Sequence, residues 1–293
     1  HTARVALTGS TQAYYTDYRG TPQELISALK WGFLFQGQRY DWQDKPRGSS
    51  TRGLGPERFV LFLQNHDQIA NSGRVCRVHE MTSPGRWRAL TALMLLGPCT
   101  PMLFQGQEWQ CSSPFYYFAD FAGDLADATD AGRRKELSQF LNLATPEAQA
   151  HMLRPEAPST FTACKLDWAE RERNQGALAF HRDLLRLRRE DPVLRQGATP
   201  YDGAVLSSHA FLLRWLDPNG QDRLLLVNLG VQQRLSPAPE PLLAPPAGHL
   251  WDVLWSSEHP TYGGSGTAAV YRPQKGWLLP GESAVLLTPV PDH

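Results

Sequence analysis

The 293 residues are 41% hydrophobic, with 29 Lys+Arg against 29 Asp+Glu. That length and apolar content give a sizeable core and, by length, two domains; they exclude a disordered chain. The balanced charge leaves no electrostatic footprint for nucleic acid or an anionic membrane.

No apolar run approaches the roughly 20 residues needed to span a bilayer. Cys76, Cys99, Cys111 and Cys164 show neither CxxC nor zinc-type spacing. We therefore expect reduced thiols in a cytoplasmic protein, with no metal site and no cofactor. The chain opens on His1-Thr-Ala-Arg-Val, without Met and without a signal peptide, and reads as if begun inside a domain.

In chain order, residues 1–20 read as a loop with three clustered tyrosines, Tyr14, Tyr15 and Tyr18. Thr21-Pro-Gln-Glu24 is a helix start, with Thr as N-cap and Pro at the first position. Leu25, Ile26, Leu29 and Phe33 continue it as an apolar stripe. Residues 36–56 are rich in Gly, Pro and Arg and form a long loop. Residues 59–63 are an unbroken apolar run, Phe-Val-Leu-Phe-Leu, followed at once by Gln64, Asn65, His66, Asp67 and Gln68. The run predicts a short strand buried on both faces, as in a parallel sheet, with polar groups at its C-terminal end. A helix follows over 87–96, closed by Gly97-Pro98. A second short strand is expected over 100–105, leading to Gly106-Gln-Glu-Trp109. Strand, helix, strand is the βα unit of an α/β fold. Asp130 is expected to cap a helix over 133–143. Residues 176–190 form an amphipathic helix that Asp191-Pro192 stops. After about residue 195 the periodicity turns β-like, with runs at 204–206, 210–215, 223–229, 251–255, 268–271 and 284–288. An all-β domain, a small sandwich, is predicted there, with a Pro-rich connector at 237–246. Leu34-Phe-Gln-Gly-Gln38 recurs as Leu103-Phe-Gln-Gly-Gln107, but the flanks differ in period and no repeat architecture follows.

His66 beside Asp67 suggests acid–base chemistry. No Gly-x-Ser-x-Gly elbow accompanies them, which weighs against a Ser/His/Asp hydrolase. Glycoside cleavage instead uses a pair of carboxyl groups about 5–5.5 Å apart in retaining enzymes. A further carboxylate at a strand end, with Asn and His near sugar hydroxyls, suits charge stabilisation. Glu108 lies on the same rim if the two strands are neighbours. Glu108 reads equally as an ordinary loop carboxylate, and Trp109 as either a sugar platform or a core anchor.

Phe62-Leu-Gln-Asn-His-Asp67 resembles the fourth signature region of the alpha-amylase superfamily of retaining glycoside hydrolases. Further segments resemble, more narrowly, the malto-oligosyltrehalose trehalohydrolase family. They are Leu7-Thr-Gly with Tyr14-Tyr15, Leu103-Phe-Gln-Gly-Gln-Glu-Trp109 leading to Ser113-Pro-Phe115, Gly132-Arg-Arg134, and Trp255-Ser-Ser-Glu-His-Pro-Thr-Tyr-Gly-Gly264. The resemblance implies an α/β fold: the C-terminal part of a (β/α)8 barrel over 1–194, then a β-sandwich domain over 195–293. It implies Asp67 as the catalytic transition-state stabiliser. Asn65, His66, Gln68, Gln105, Glu108, Trp109, Tyr14 and Tyr15 would contact substrate. Malto-oligosyltrehalose and related α-glucan oligosaccharides would be the substrates, and trehalose the product. The family's nucleophile lies in Gly-x-Arg-x-Asp and its acid/base Glu follows a further strand. Gly37-Gln-Arg-Tyr-Asp41 fits the string but follows a helix and precedes a Gly/Pro-rich loop, so we reject it. Both catalytic groups are therefore expected in an N-terminal portion of the same protein, outside this chain. A branching or debranching enzyme, or a non-catalytic carbohydrate-binding remnant of an amylase, are the alternatives left open.

Overall fold

A computed structural model describes residues 1–195, 199–272 and 275–292. The first 195 residues are mainly helical. Helix α1 (Thr2–Thr8) occupies the start of the stretch expected as loop, and Gly9 ends it in the left-handed conformation, φ 67°, returning its N–H to the Val5 carbonyl. Helix α2 (Pro22–Trp31) begins as expected: Thr21 accepts from the Glu24 N–H, while the Glu24 carboxylate accepts from the Arg19 and Gly20 N–H groups. The long loop after it holds a small hairpin, β1 (Arg39–Tyr40) with β2 (Lys45–Pro46).

Strand β3 is Val60–Leu61 and pairs in parallel with β4, Thr100–Pro101. Both are shorter than the apolar runs predicted. Burial on both faces is also overturned, since Val60 is 53% exposed. A parallel strand is enclosed only when neighbours and helices cover it fully, and β3 has one paired neighbour. Between the two strands lie α3 (His66–Ala70) and α4 (Pro84–Leu96). Ser83 caps α4, and every residue from Trp87 to Leu96 is buried, so α4 is enclosed on all sides. Helix α5 (Gly123–Leu137) starts well before Asp130, which is internal to it and pairs with Arg134 at 2.7 Å rather than capping. Three short helices follow, α6 (Pro146–Ala150), α7 (Pro158–Ala163) and α8 (Glu170–Arg173). Helix α9 (Gln175–Glu190) is the amphipathic helix read from the sequence.

The remainder is sheet-rich. Strands β5 (Tyr201–Val205), β6 (Ala210–Trp215), β7 (Arg223–Asn228), β9 (His249–Ser256) and β12 (Ser283–Pro291) form an antiparallel sheet in the order β5-β6-β7-β12-β9; β8 (Gln233–Leu235), β10 (Tyr271–Arg272) and β11 (Gly276–Leu279) form a smaller one, β10-β11-β8. Alternation along the central strands assigns their faces. Leu212, Leu224, Leu226, Val285 and Leu287 pack with Trp277 and Leu279 of the small sheet. Phe211, Leu213, Leu225, Val227, Ala284 and Leu286 instead join α4 and α9 in the largest core. The central antiparallel sheet is thus covered on both faces, which is why its strands read as continuous apolar runs.

Candidate functional site

The sheet pair β3/β4 sets the geometry. Because the strands run in parallel, the segments leaving Leu61 and Pro101 emerge at the same end, so the peptides bearing Asp67 and Glu108 share one rim. The polar run after β3 turns at once into α3. Asn65 is its N-cap, and its Oδ1 accepts from the Gln68 N–H at 2.8 Å. This cap places His66 and Asp67 in the first turn, exposed, rather than on a strand. Asn71, one helical turn on, donates from Nδ2 to Asp67 Oδ1 at 2.6 Å. Among the described residues no protein donor bonds Asp67 Oδ2. Burial raises the Tyr14 hydroxyl above the usual phenol range, and the nearby negative charges of Asp67 and Glu136 add to it.

Glu108 sits in a 3-10 turn, Gln107–Trp109, which begins after Gly106 at φ 76° and ends at Gln110 at φ 54°. A Cβ on Gly106 would lie 2.7 Å from Cys111 Cβ. This turn is tied to the β3 side by a buried arginine. Arg77 donates from Nη1 to the Gln105 carbonyl at 2.7 Å and from Nε to the Ser113 carbonyl at 2.8 Å, with its guanidinium over the Phe104 ring. The next residue, Val78, donates its N–H to Gln64 Oε1 at 3.0 Å.

The expected contact residues divide. His66 and Gln105 are exposed, and Glu108 and Tyr14 are half-buried. Asn65 is half-buried with its amide oxygen committed to the cap. Gln68, Tyr15 and Trp109 are buried, the last two 1% and 4% exposed. None of these three offers a free face to a sugar, because packing encloses side chains that the sequence pattern made look available. Trp109 instead supports Trp168, which is 63% exposed with its ring 5.1 Å away. The rim also carries an aromatic series that the sequence reading missed: His66 to Phe115 at 6.4 Å, Phe115 to Phe118 at 5.8 Å, Phe118 to Phe161 at 5.1 Å. The cluster Phe115-Tyr-Tyr-Phe118 was the signal available for it. Asn71 and Arg133 were also missed as site residues, although Asn71 stands four positions after Asp67. Asp41, the rejected match, is exposed at the β1–β2 turn and pairs with Arg39. Among the described residues no three His, Cys, Asp or Glu side chains converge as a metal site, and the four cysteines are free thiols. No helix among them is long and apolar enough to cross a membrane.

On one flank, Phe59 to Leu63 line a mostly apolar cavity of about 390 Å³ with Leu25, Leu29, Leu90 and Met94. It runs along β3.

A mixed helix and strand unit followed by a sheet-rich region, with a rim at the ends of parallel strands, is the alpha-amylase type of fold. A solved structure of a Salmonella typhimurium protein provisionally named alpha-amylase matches 98% of this chain and 45% of its own, at TM-score 0.77 and 30% identity. Sequence narrows the kinship. The malto-oligosyltrehalose trehalohydrolase of Deinococcus radiodurans is 40% identical over 243 residues, 80% of this chain and 39% of that protein. The enzyme of the same name from Arthrobacter ramosus is 36% identical over 200 residues, 66% of this chain and 33% of its own. Residues 202–286 match the family model described as a domain of unknown function, DUF3459. The chain is therefore related to the malto-oligosyltrehalose trehalohydrolases of the alpha-amylase superfamily. It spans about two fifths or less of the length of these two relatives.

Proposed function

We propose that this chain belongs to a retaining glycoside hydrolase that cleaves the α-1,4 bond next to the trehalose unit of malto-oligosyltrehalose and releases trehalose. The observation that carries the reading is Asp67: an exposed carboxylate on a shared rim, one oxygen held by Asn71 and the other free of protein donors among the described residues. In a retaining mechanism a nucleophile and an acid act across the glycosidic bond, and positive charge builds on the sugar ring. Asp67 would accept from hydroxyls of that sugar and stabilise the charge, with His66 beside it. Glu108 would lie toward the trehalose side, and Trp168 and the Phe115–Phe118–Phe161 series supply aromatic faces for sugar rings.

The nucleophile and acid/base are assigned to an N-terminal portion of the same protein outside this chain. The apolar cavity along β3 and the exposed Val60 support this, since a parallel sheet is stable when its edge is paired and covered. Residues 1–194 would be the later part of a (β/α)8 barrel and residues 195–293 a C-terminal sandwich. The free thiols support a reducing, cytoplasmic setting.

The test is to incubate the full-length protein with maltotriosyltrehalose and separately with maltopentaose, and to follow free trehalose. Trehalose from the first sugar with little cleavage of the second is the expected result. Equal cleavage of both, or branching products, would refute the trehalohydrolase reading. Binding without cleavage would favour a carbohydrate-binding remnant.

A further inference from the structure

We propose that Asn71 and Arg133 form a positioning relay that fixes the Asp67 carboxylate for substrate. This inference rests on the catalytic reading of Asp67 and extends it to two residues on different elements.

The geometry is specific. Asn71 Nδ2 donates to Asp67 Oδ1 at 2.6 Å, and Arg133 Nη1 donates to Asn71 Oδ1 at 3.0 Å. A guanidinium has donors only, so the Asn71 oxygen must face Arg133 and its NH₂ must face Asp67. Arg133 therefore selects the amide orientation that attracts the carboxylate; the flipped amide would set oxygen against oxygen. Arg133 is itself held twice more. Its Nη2 donates to the Ala70 carbonyl, at the end of α3, at 3.3 Å, and its guanidinium lies 4.3 Å from the Tyr117 ring centroid.

The relay has a reason to exist. Asp67 is exposed on a helix of five residues, and an exposed carboxylate samples several rotamers unless something holds it. Tying Oδ1 from the Asn71 side leaves Oδ2 for sugar hydroxyls. Arg133 is not needed to anchor its own helix. The adjacent Arg134 does that, through the carbonyls of Gln149 and Met152. Loss of Arg133 should therefore disturb Asp67 while α5 remains docked.

The experiment is a double-variant cycle in the full-length protein, assayed on maltotriosyltrehalose with melting temperatures measured in parallel. Asn71→Ala and Arg133→Met are each expected to lower kcat by about 10- to 100-fold, the cost of a misplaced catalytic group, with KM within about twofold. Melting temperatures should stay close to wild type. Arg133→Lys keeps the charge but lacks the fork, and should retain an intermediate kcat. The decisive arm is Asn71→Ala/Arg133→Met, which should be no slower than Asn71→Ala by more than about threefold, because Arg133 acts through Asn71. With an active wild type, multiplying losses in the double variant, or unchanged kcat in Arg133→Met, would overturn the relay alone. A wild type that leaves both test sugars intact would overturn the catalytic reading and the relay with it.

Discussion

On the proposed function, Asp67 and the groups around it are where the chemistry is concentrated. An ionised carboxylate facing a developing sugar cation acts through charge placed in advance, so removing that charge should cost more than removing a hydrogen bond. In the full-length protein, Asp67→Asn is expected to lower kcat by about 10³-fold or more, with circular dichroism and melting temperature unchanged because the side chain is exposed and, among the described residues, makes one side-chain hydrogen bond. Near-normal turnover would remove Asp67 from the mechanism. The neighbouring residues show how little of a side chain's role follows from its type. Trp109 and Tyr15 have the chemistry of sugar platforms, yet both are interior. Trp168, which carried no motif, has the open ring. Burial is set by tertiary packing, and nothing local in the sequence distinguishes a tryptophan that supports another from the one supported.

At the scale of elements, the starts of helices were the most legible features, because caps are local chemistry. Thr21 with Glu24 is legible directly in the sequence, whereas the Asn65 cap with Gln68 reads as the polar end of a strand. Asn before His-Asp-Gln is itself a good N-cap signal, but the apolar run in front of it drew the strand too far. The strands of the sheet-rich region are legible through alternation and turns, except the short β8 and β11, and β10, which the run expected over 268–271 meets only at Tyr271. The length of β3 was not legible, because it depends on partners that pair with it and not on its own residues. The 3-10 turn Val78–Met81, which carries the Gln64 clamp, gives a testable consequence. Burial lowers the His79 pKa to about 4, and the adjacent Arg77 cation adds to the effect. An unfolded His titrates near 6.5, so the folded state binds fewer protons between those values. The contribution to stability is full above about pH 6.5 and is lost as pH falls toward 4. His181, buried on α9, shifts in the same direction. His79→Gln should accordingly lose less melting temperature than wild type between pH 7 and pH 4.5. Parallel curves for the two proteins would show that His79 does not contribute.

At the scale of the molecule, the helical and sheet-rich parts are joined by one continuous core rather than by a linker. Helix α4, between the two strands of the rim, packs its remaining faces on α9 and on β7 and β12. The sheet therefore supports the scaffold that carries Asp67 and Glu108. At the edge of this apolar contact lies a buried ion pair. Arg88 of α4 donates from Nη2 to Glu258 Oε1 at 2.7 Å, and both side chains are about nine-tenths buried, 10% and 11% exposed. The Glu258 loop is closed around the pair: the Gly266 N–H reaches the Glu258 carbonyl at 2.7 Å, and Gly264 lies so close that a Cβ would stand 2.3 Å from the Glu258 backbone. A buried pair adds little net stability over an apolar pair, but one partner left alone is a desolvated charge without compensation. Arg88→Met in the full-length protein should thus destabilise by about 3–5 kcal/mol, seen as a lower urea midpoint at unchanged slope. Replacing the orphaned charge as well, in Arg88→Met/Glu258→Gln, should restore at least half of the loss, because the amide is neutral, its oxygen can still accept from the Ser265 N–H, and its NH₂ can face the Ser257 hydroxyl oxygen. If the double variant is as unstable as the single one, the loss comes from packing around Arg88 and not from the unpaired carboxylate, and the ion pair is not what holds the sheet to the rim.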